Sequence, residues 1–386
     1  MVNGTARLVV DLGNSSTRVK TYFGKTAKGS PRNKLSFLDN RYGIIPEEKL
    51  GNYLNSDVYT EENSRIFKHN DIIYCNGSVC NTEFSATAIR PTALEKKYES
   101  LVTKLTLMNA LCRGYEDIAE FTNSDIDAID VEWELILLLP PDDIDAGASK
   151  LVELAKSIDS IEFMMPELEK KINITSGTVY PEGFCALIGV LFENKGVLRP
   201  EYSYLIGEDV TTLICDIGAG TTDFMLAEGA NVISSTRFTK EIGGNNVHQR
   251  VRRMLKDNGI VLNDRIVRKG TETGYVKSGA KEYDITDQIN AAKSEVSVQL
   301  VDAVQEFFED NMLPVQSINN LLICGGGAES SDNPDINPIA NYIEEYMLRL
   351  SPNIHLVDLP TISVNGEKVK ASPRLLNIIG AGILAE

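Results

Sequence analysis

Val10-Asp11-Leu12-Gly13-Asn14-Ser15-Ser16-Thr17 recurs half a chain later as Cys215-Asp216-Ile217-Gly218-Ala219-Gly220-Thr221-Thr222. Both copies read x-Asp-(Leu/Ile)-Gly-x-x-x-Thr, and each follows a short β-type run, over 7–10 and 212–215. Such a repeat marks two copies of one strand–turn unit. Two similar halves facing one another enclose a cleft with one turn on either side. A tight turn of Gly and hydroxyl residues presents backbone N–H and Ser/Thr O–H donors, and Gly removes the Cβ that blocks close approach. Phosphate oxygens need those donors. A carboxylate at the mouth of each strand repels phosphate unless a cation lies between, so Asp11 and Asp216 are expected together, holding Mg²⁺ through its waters.

Outward from the repeats, the apolar spacing of Leu94, Tyr98, Leu101, Leu105, Met108 and Leu111 predicts a helix over 93–112, closed by Gly114. A buried strand over 133–139 stops at Pro140-Pro141, a helix follows over 146–158, and a strand over 172–180. The second half predicts a hairpin over 224–233 turning at Glu228-Gly229 and a basic helix over 247–255 after Gly243-Gly244. A long helix over 285–308 and a strand over 321–324, broken by Gly325-Gly326-Gly327, complete it. Residues 24–85 lack long apolar patterns and read as a small, loop-rich insertion. Strands alternating with helices give an α/β architecture of mixed sheets flanked by helices.

The 386 residues correspond to roughly two or three domains. Lys and Arg number 38 against 55 Asp and Glu, a formal charge of −17 that opposes binding to a phosphate backbone. The apolar fraction of 42% and charged fraction of 24% exclude collagenous, coiled-coil and disordered chains. The start of the sequence has no basic region followed by an apolar run, and the most apolar stretch, 135–141, is far shorter than the ~20 residues that span a bilayer. Cys75, Cys80, Cys112, Cys185, Cys215 and Cys324 lack metal-site spacing, so reduced, packed thiols and a cytoplasmic location are expected. Gly24-Lys25-Thr26 fails as a P-loop end because Val19 stands where the first Gly belongs. His69, His248 and His355 are scattered, and no His-Glu-x-x-His occurs.

The paired Asp-x-Gly turns, the Pro181-Glu182-Gly183 step and Gly325-Gly326-Gly327-Ala328, in this order, resemble the actin, DnaK-type chaperone and sugar kinase ATPase superfamily. Leu137-Leu138-Leu139-Pro140 before a helix and Ile323-Cys324-Gly325-Gly326-Gly327-Ala328-Glu329 resemble ParM-type actin-like proteins of plasmid segregation. The resemblance implies an actin-like ATPase fold, two similar domains around a nucleotide cleft, each with a smaller inserted subdomain. Domain I is then 1–176, with an insertion at about 30–90 and a return of 372–386. Domain II is 177–371, with an insertion at about 245–290. It further implies ATP as ligand, with GTP left open, and Mg²⁺ beside Asp11 and Asp216. Gly13, Asn14, Ser15, Ser16, Thr17 and Arg18 correspond to the first phosphate loop, with Arg18 where a phosphate-facing Lys is usual. Gly218, Ala219, Gly220, Thr221 and Thr222 correspond to the second loop, Gly325, Gly326, Gly327 and Ala328 to the adenosine loop, and Asn377-Ile378-Ile379-Gly380-Ala381-Gly382 to the second connecting helix. Asn290 stands where relatives often carry an acidic ribose contact.

Glu182 follows a strand and a Pro and opens the apolar run 184–192. An acidic residue there favours a helix N-terminus; equally, it can orient or deprotonate the water that attacks a γ-phosphate, the role the resemblance implies for it alongside Asp216. Gly243-Gly244 before a helix is a second place for an anion, and Lys293 a candidate ribose or adenine contact. Arg250, Arg252, Arg253 and Lys256 read as a solvated helix face or a subunit contact. The function expected is an actin-like ATPase that polymerises head-to-tail with itself and moves DNA through a ParR-type DNA-binding adaptor, with no direct nucleic-acid binding and no membrane. The alternative is a monomeric kinase or chaperone-like ATPase of the same superfamily. An activator of a metalloenzyme would need a tight cysteine cluster, which this chain lacks.

Overall fold

The computed structural model describes residues 1–25, 31–54, 64–84, 87–92, 95–164, 167–207, 209–331 and 333–386. Strand β1 (Val2–Asp11) buries Leu8, Val9 and Val10, so both of its faces are covered. It turns through 12–15 into β2 (Ser16–Lys25), and β3 (Pro31–Asp39) continues the antiparallel meander. The P-loop-like Gly24 and Lys25 simply end β2; Thr26 lies outside the described residues. The insertion is not the loop-rich segment expected. It holds β4 (Gly43–Ile45), α1 (Leu50–Leu54), β5 (Ser64–His69), β6 (Ile72–Gly77) and α2 (Ser78–Glu83).

Helix α3 (Leu101–Thr122) starts where Ser100 accepts a hydrogen bond from the Val102 N–H, at 3.1 Å. It runs through Gly114, which the sequence reading took for its end. A Cβ at Gly114 would stand 2.5 Å from Trp133, so this glycine makes room for the indole rather than stopping the helix. Ala93 and Leu94, the expected start, lie outside the described residues. Strand β7 (Ile129–Leu139) and helix α4 (Ile144–Lys156) follow as expected. Strands β8 (Ser160–Met164) and β9 (Glu167–Lys171) then join the insertion in an antiparallel sheet of order β4-β6-β5-β8-β9. Strand β10 (Asn173–Pro181) returns to the main sheet, whose order is β10-β7-β1-β2-β3, with β1, β7 and β10 parallel. The chain therefore leaves the first sheet at Pro181, and residue 176 lies inside a strand.

After helix α5 (Phe184–Leu191) and the small hairpin β11 (Phe192–Asn194) and β12 (Val197–Leu198), the second half repeats the plan. Strands β13 (Thr211–Ile217) and β14 (Thr222–Glu228) form the same hairpin as β1 and β2, extended by β15 (Asn231–Val232) and β16 (Phe238–Lys240). Helices α6 (Gly244–Asp257) and α7 (Asp264–Thr273) and the hairpin β17 (Tyr275–Ser278) and β18 (Lys281–Asp284) occupy the second expected insertion. Helix α8 (Thr286–Asp310) leads to β19 (Asn320–Cys324), parallel to β13 as β7 is to β1. Helix α9 (Ile339–Leu350), β20 (His355–Leu356), the hairpin β21 (Thr361–Val364) and β22 (Glu367–Lys370), and helix α10 (Leu376–Ala385) complete the chain. The cysteines are buried, free thiols. Among the described residues no helix is long and apolar enough to cross a membrane.

Between the halves, α5 and α10 share one apolar core with Val9, Ile136 and Leu138 of the first sheet and Ile214, Met225 and Leu322 of the second. The two helices cross with their backbones in contact. A Cβ at Gly189 would stand 2.7 Å from the Leu376 carbonyl oxygen, and one at Gly380 would overlap the Cys185 carbonyl. Gly380→Ala should therefore overpack the crossing and destabilise the fold by about 1–3 kcal/mol. An unchanged urea midpoint would show that the helices are not in backbone contact.

Candidate nucleotide site

The first turn is fixed from below. The Gly13 N–H donates to the Asp11 carbonyl at 3.0 Å, the Thr17 hydroxyl donates to Asn40 Oδ1 at 2.7 Å, and the Asn40 amide donates closely to the Gly13 carbonyl. Asn14 and Ser16 stay partly open and Ser15 is exposed. The second turn is closed by Gly218 N–H to Thr221 O at 2.8 Å and tied to the start of α6 by Gly244 N–H to Gly218 O at 3.1 Å and Asn245 N–H to Ala219 O at 2.7 Å. The Thr222 hydroxyl donates to the Ile242 carbonyl at 2.7 Å. Both repeat threonines thus commit their hydroxyl protons to the framework, and the donors left facing outward are backbone amides and the hydroxyls between.

Glycines record how closely these loops meet. A Cβ at Gly220 would lie 2.9 Å from Asn14 Nδ2, so the two turns face each other directly across the cleft. A Cβ at Gly243 would lie 2.6 Å from Gly218 O, and one at Gly244 would lie 3.9 Å from Gly327 Cα. Gly325, at φ +89°, passes against Asp216 and Ile217 in a conformation that glycine alone adopts without strain. Ala328 is buried beneath the same loop. Arg18 reaches it from the other half, with Nη2 3.3 Å from where a Gly326 Cβ would be. Arg374, missed in the sequence reading, flanks Gly326 and pairs closely with Glu329. Arg18 Nε and Arg374 Nε are buried without a hydrogen-bond partner among the described residues, while their outer nitrogens pair with Asp11 and Glu329.

The two halves treat their aspartates differently. Asp11 lies in register with Arg18, which donates to it at 3.2 Å. The equivalent partner of Asp216 is Asp223, a second carboxylate, bonded by the Thr239 hydroxyl. One more residue of the repeat would have exposed Asp223 in the sequence. Glu182 follows β10 and accepts from Lys97 Nζ at 2.8 Å; both side chains are mostly buried. Burial pushes the Glu182 carboxyl up to about 7, against the pull of Lys97 and with help from Asp11 and Asp216. Burial raises Asp216 as well, opposed by the Asn377 amide, and raises Asp223 well above the usual range. Burial also works against the Lys97 charge, but Glu182, Asp11 and Asp223 outweigh it and hold the ammonium above its ordinary value. Lys97 and Asn377 had no local signal, since each meets its partner across more than eighty residues.

Asp11, Asp216, Asp223 and Glu182 outnumber the cations Arg18 and Lys97, and this excess of buried negative charge fits a divalent cation. No three acidic, His or Cys groups among the described residues converge tightly enough to hold an ion directly. Lys293 stands on α8 beside His248 and has no ion-pair partner among the described residues. Burial brings its pKa to about 8. Asn290 secures the 335–337 turn instead, donating to Asp335 O at 2.8 Å and accepting from Asn337 N at 3.0 Å. In the basic cluster Arg250 pairs with Glu295 at 2.9 Å, while Arg252, Arg253 and Lys256 are exposed.

Residues 214–333, which include the second turn and the Gly325 loop, match the family model of the archaeal actin homologue MreB-like C-terminal region. No curated protein matches the sequence. Among solved structures, an archaeal actin homologue in complex with ADP is 14% identical, with 99% of each chain covered and a TM-score of 0.66. A 15-stranded ParM filament from Clostridium botulinum is 16% identical, with 98% of each covered and a TM-score of 0.67. ParM from Bacillus thuringiensis with AMPPNP is also 16% identical, covering 99% of this chain and 98% of its own, with a TM-score of 0.60. Two like halves, with the same hairpin and turn facing across a cleft and two crossed helices between them, are the actin-like fold, which this chain shares with archaeal actin homologues and ParM.

Proposed function

We propose that this protein is an ATPase that binds ATP with Mg²⁺ between its halves, polymerises head-to-tail in that state and depolymerises after hydrolysis. The observation that carries the reading is the pair of matched turns meeting at Asn14 and Gly220, with orphaned Arg18 and Arg374 nitrogens at the adjoining loop. Domain I comprises the first sheet with α10, and domain II the second. The amides of 14–16 and 219–221 cradle phosphates, and Arg18 adds charge from the first half. Mg²⁺, held through water by Asp11 and Asp216, would neutralise phosphate charge. Gly243 and Gly244 bring the positive end of the α6 dipole beside the second turn, although their N–H groups are bonded to Asn246 and Gly218, and Lys293 is the candidate nucleoside contact. Glu182, once freed from Lys97, takes a proton from the attacking water. Self-association is supported by the likeness to a ParM filament, since a heterologous contact that does not close yields an open polymer.

The charge of −17 supports coupling to DNA through a separate basic adaptor rather than directly. Plasmid segregation is the process this would serve, and the cytoplasm its place. ATP rather than GTP is the nucleotide proposed.

Three outcomes are expected. Glu182→Gln should bind ATP as the wild type does but hydrolyse it ~10²-fold more slowly, leaving longer-lived polymers in light scattering. A full rate per bound ATP would give Glu182 a structural role. The kcat/KM for hydrolysis, which reports the nucleotide-free protein, should rise with pH through about 7 as the Glu182 carboxyl loses its proton. Lys97→Met should move that midpoint upward, because the ammonium that favours the charged carboxylate is gone; an unmoved midpoint assigns the titration elsewhere. Finally, the protein should sediment as polymer with ATP and leave naked DNA unshifted at physiological salt. A chain that stays monomeric at tens of micromolar with ATP fits the monomeric kinases instead.

A further inference from the structure

We infer that Asn377 is a positioning residue that ties the metal-side carboxylate Asp216 to the turn carrying Glu182, so that hinge helix and reaction site move as one unit. This rests on the nucleotide reading above. Asn377 opens α10, and its side-chain amide is fully committed in two directions. Its Nδ2 donates to Asp216 Oδ2 at 2.6 Å, and its Oδ1 accepts the Gly183 N–H at 2.9 Å. Gly183 directly follows Glu182 and sits at φ +74°, a left-handed conformation that would be costly without Gly and a fixed partner. All three groups are withdrawn from water: Asn377 is 6% and Asp216 3% exposed. One amide therefore bridges β13 of the second half, the turn at the end of the first sheet, and α10 from the end of the chain.

The chemistry of the bridge differs from that on the other side of the cleft. Asp11 is held by Arg18, a cation that cancels part of its charge. Asp216 is held by a neutral amide, which fixes which oxygen points where without reducing the charge available to a cation. Its other oxygen, Oδ1, packs against Gly325, a close approach that a Cβ there would prevent. The Asn377 bond thus orients Asp216 as the less neutralised carboxylate of the pair. Because Asn377 stands one turn before Gly380, where α10 crosses α5, any rotation at that crossing carries Asp216 and the Glu182 turn with it.

The test separates these hydrogen bonds from simple packing. Asn377→Leu keeps the volume in an apolar neighbourhood and removes both bonds; Asn377→Ala serves if the leucine variant does not fold. Affinity for ADP, which is not turned over, is measured by calorimetry with EDTA and again with Mg²⁺, alongside melting temperature and the rate of ATP hydrolysis. The variants should bind ADP in EDTA as the wild type does, lose about 10-fold or more of the affinity that Mg²⁺ adds, and hydrolyse ATP correspondingly more slowly, as loss of an outer partner of a metal carboxylate does. A variant that melts lower yet keeps the wild-type gain from Mg²⁺ would reduce Asn377 to packing and overturn the inference. A wild-type protein whose ADP affinity does not respond to Mg²⁺ would overturn the nucleotide–metal reading itself, and this inference with it.

Discussion

Everything in the molecule hangs on the backbone contact between α5 and α10. Gly189 and Gly380 let the helices cross without side chains between them, and the apolar surface around the crossing draws in strands from both sheets. Packing at that density transmits displacement instead of absorbing it. A protein whose two halves must report on what lies between them needs such an element: stiff, buried, and in touch with both. The crossing also sets the depth of the cleft, because α5 begins two residues after Glu182 and α10 begins at the residue before Asn377.

The second constraint is electrostatic. Asp11, Asp216, Asp223 and Glu182 lie near one another by the turns, with Arg18 paired to Asp11 and Lys97 to Glu182, and burial together with the neighbouring carboxylates pushes the Glu182, Asp216 and Asp223 carboxyls upward. An arrangement of this kind is unfavourable by itself and becomes favourable when a cation and a polyanion enter together. The Lys97–Glu182 pair supplies part of that balance from within the protein. The repeat explains the asymmetry: Arg18 and Asp223 hold equivalent positions on equivalent strands, and the exchange of one charge for its opposite gives two like halves unlike roles.

The main sheets and their turns were legible in the sequence because they are made by local patterns. A buried strand, an Asp-x-Gly turn and a returning strand declare themselves within twenty residues, and their recurrence established the two-fold plan. Helix α3 was misjudged because Gly114 looks like a stop, while its real task, space for Trp133, involves a residue from another strand. The insertion was read as loop because its short strands are completed by β8 and β9, and pairing between distant segments leaves no trace in the spacing of either.

By itself, then, the sequence determined the α/β class, the repeat, and the residues whose chemistry is announced by their turn: Asp11, Asp216, the glycine loops and Glu182. Only the tertiary structure decided that Lys97 meets Glu182, that Asn377 joins Asp216 to Gly183, and that Asn40 carries the first turn. The division has one physical cause. Turns and strands are governed by φ/ψ preference and side-chain period, which act over a few residues. The partner of a buried charge is chosen by which elements the folded core brings together, and that choice is made across the whole chain.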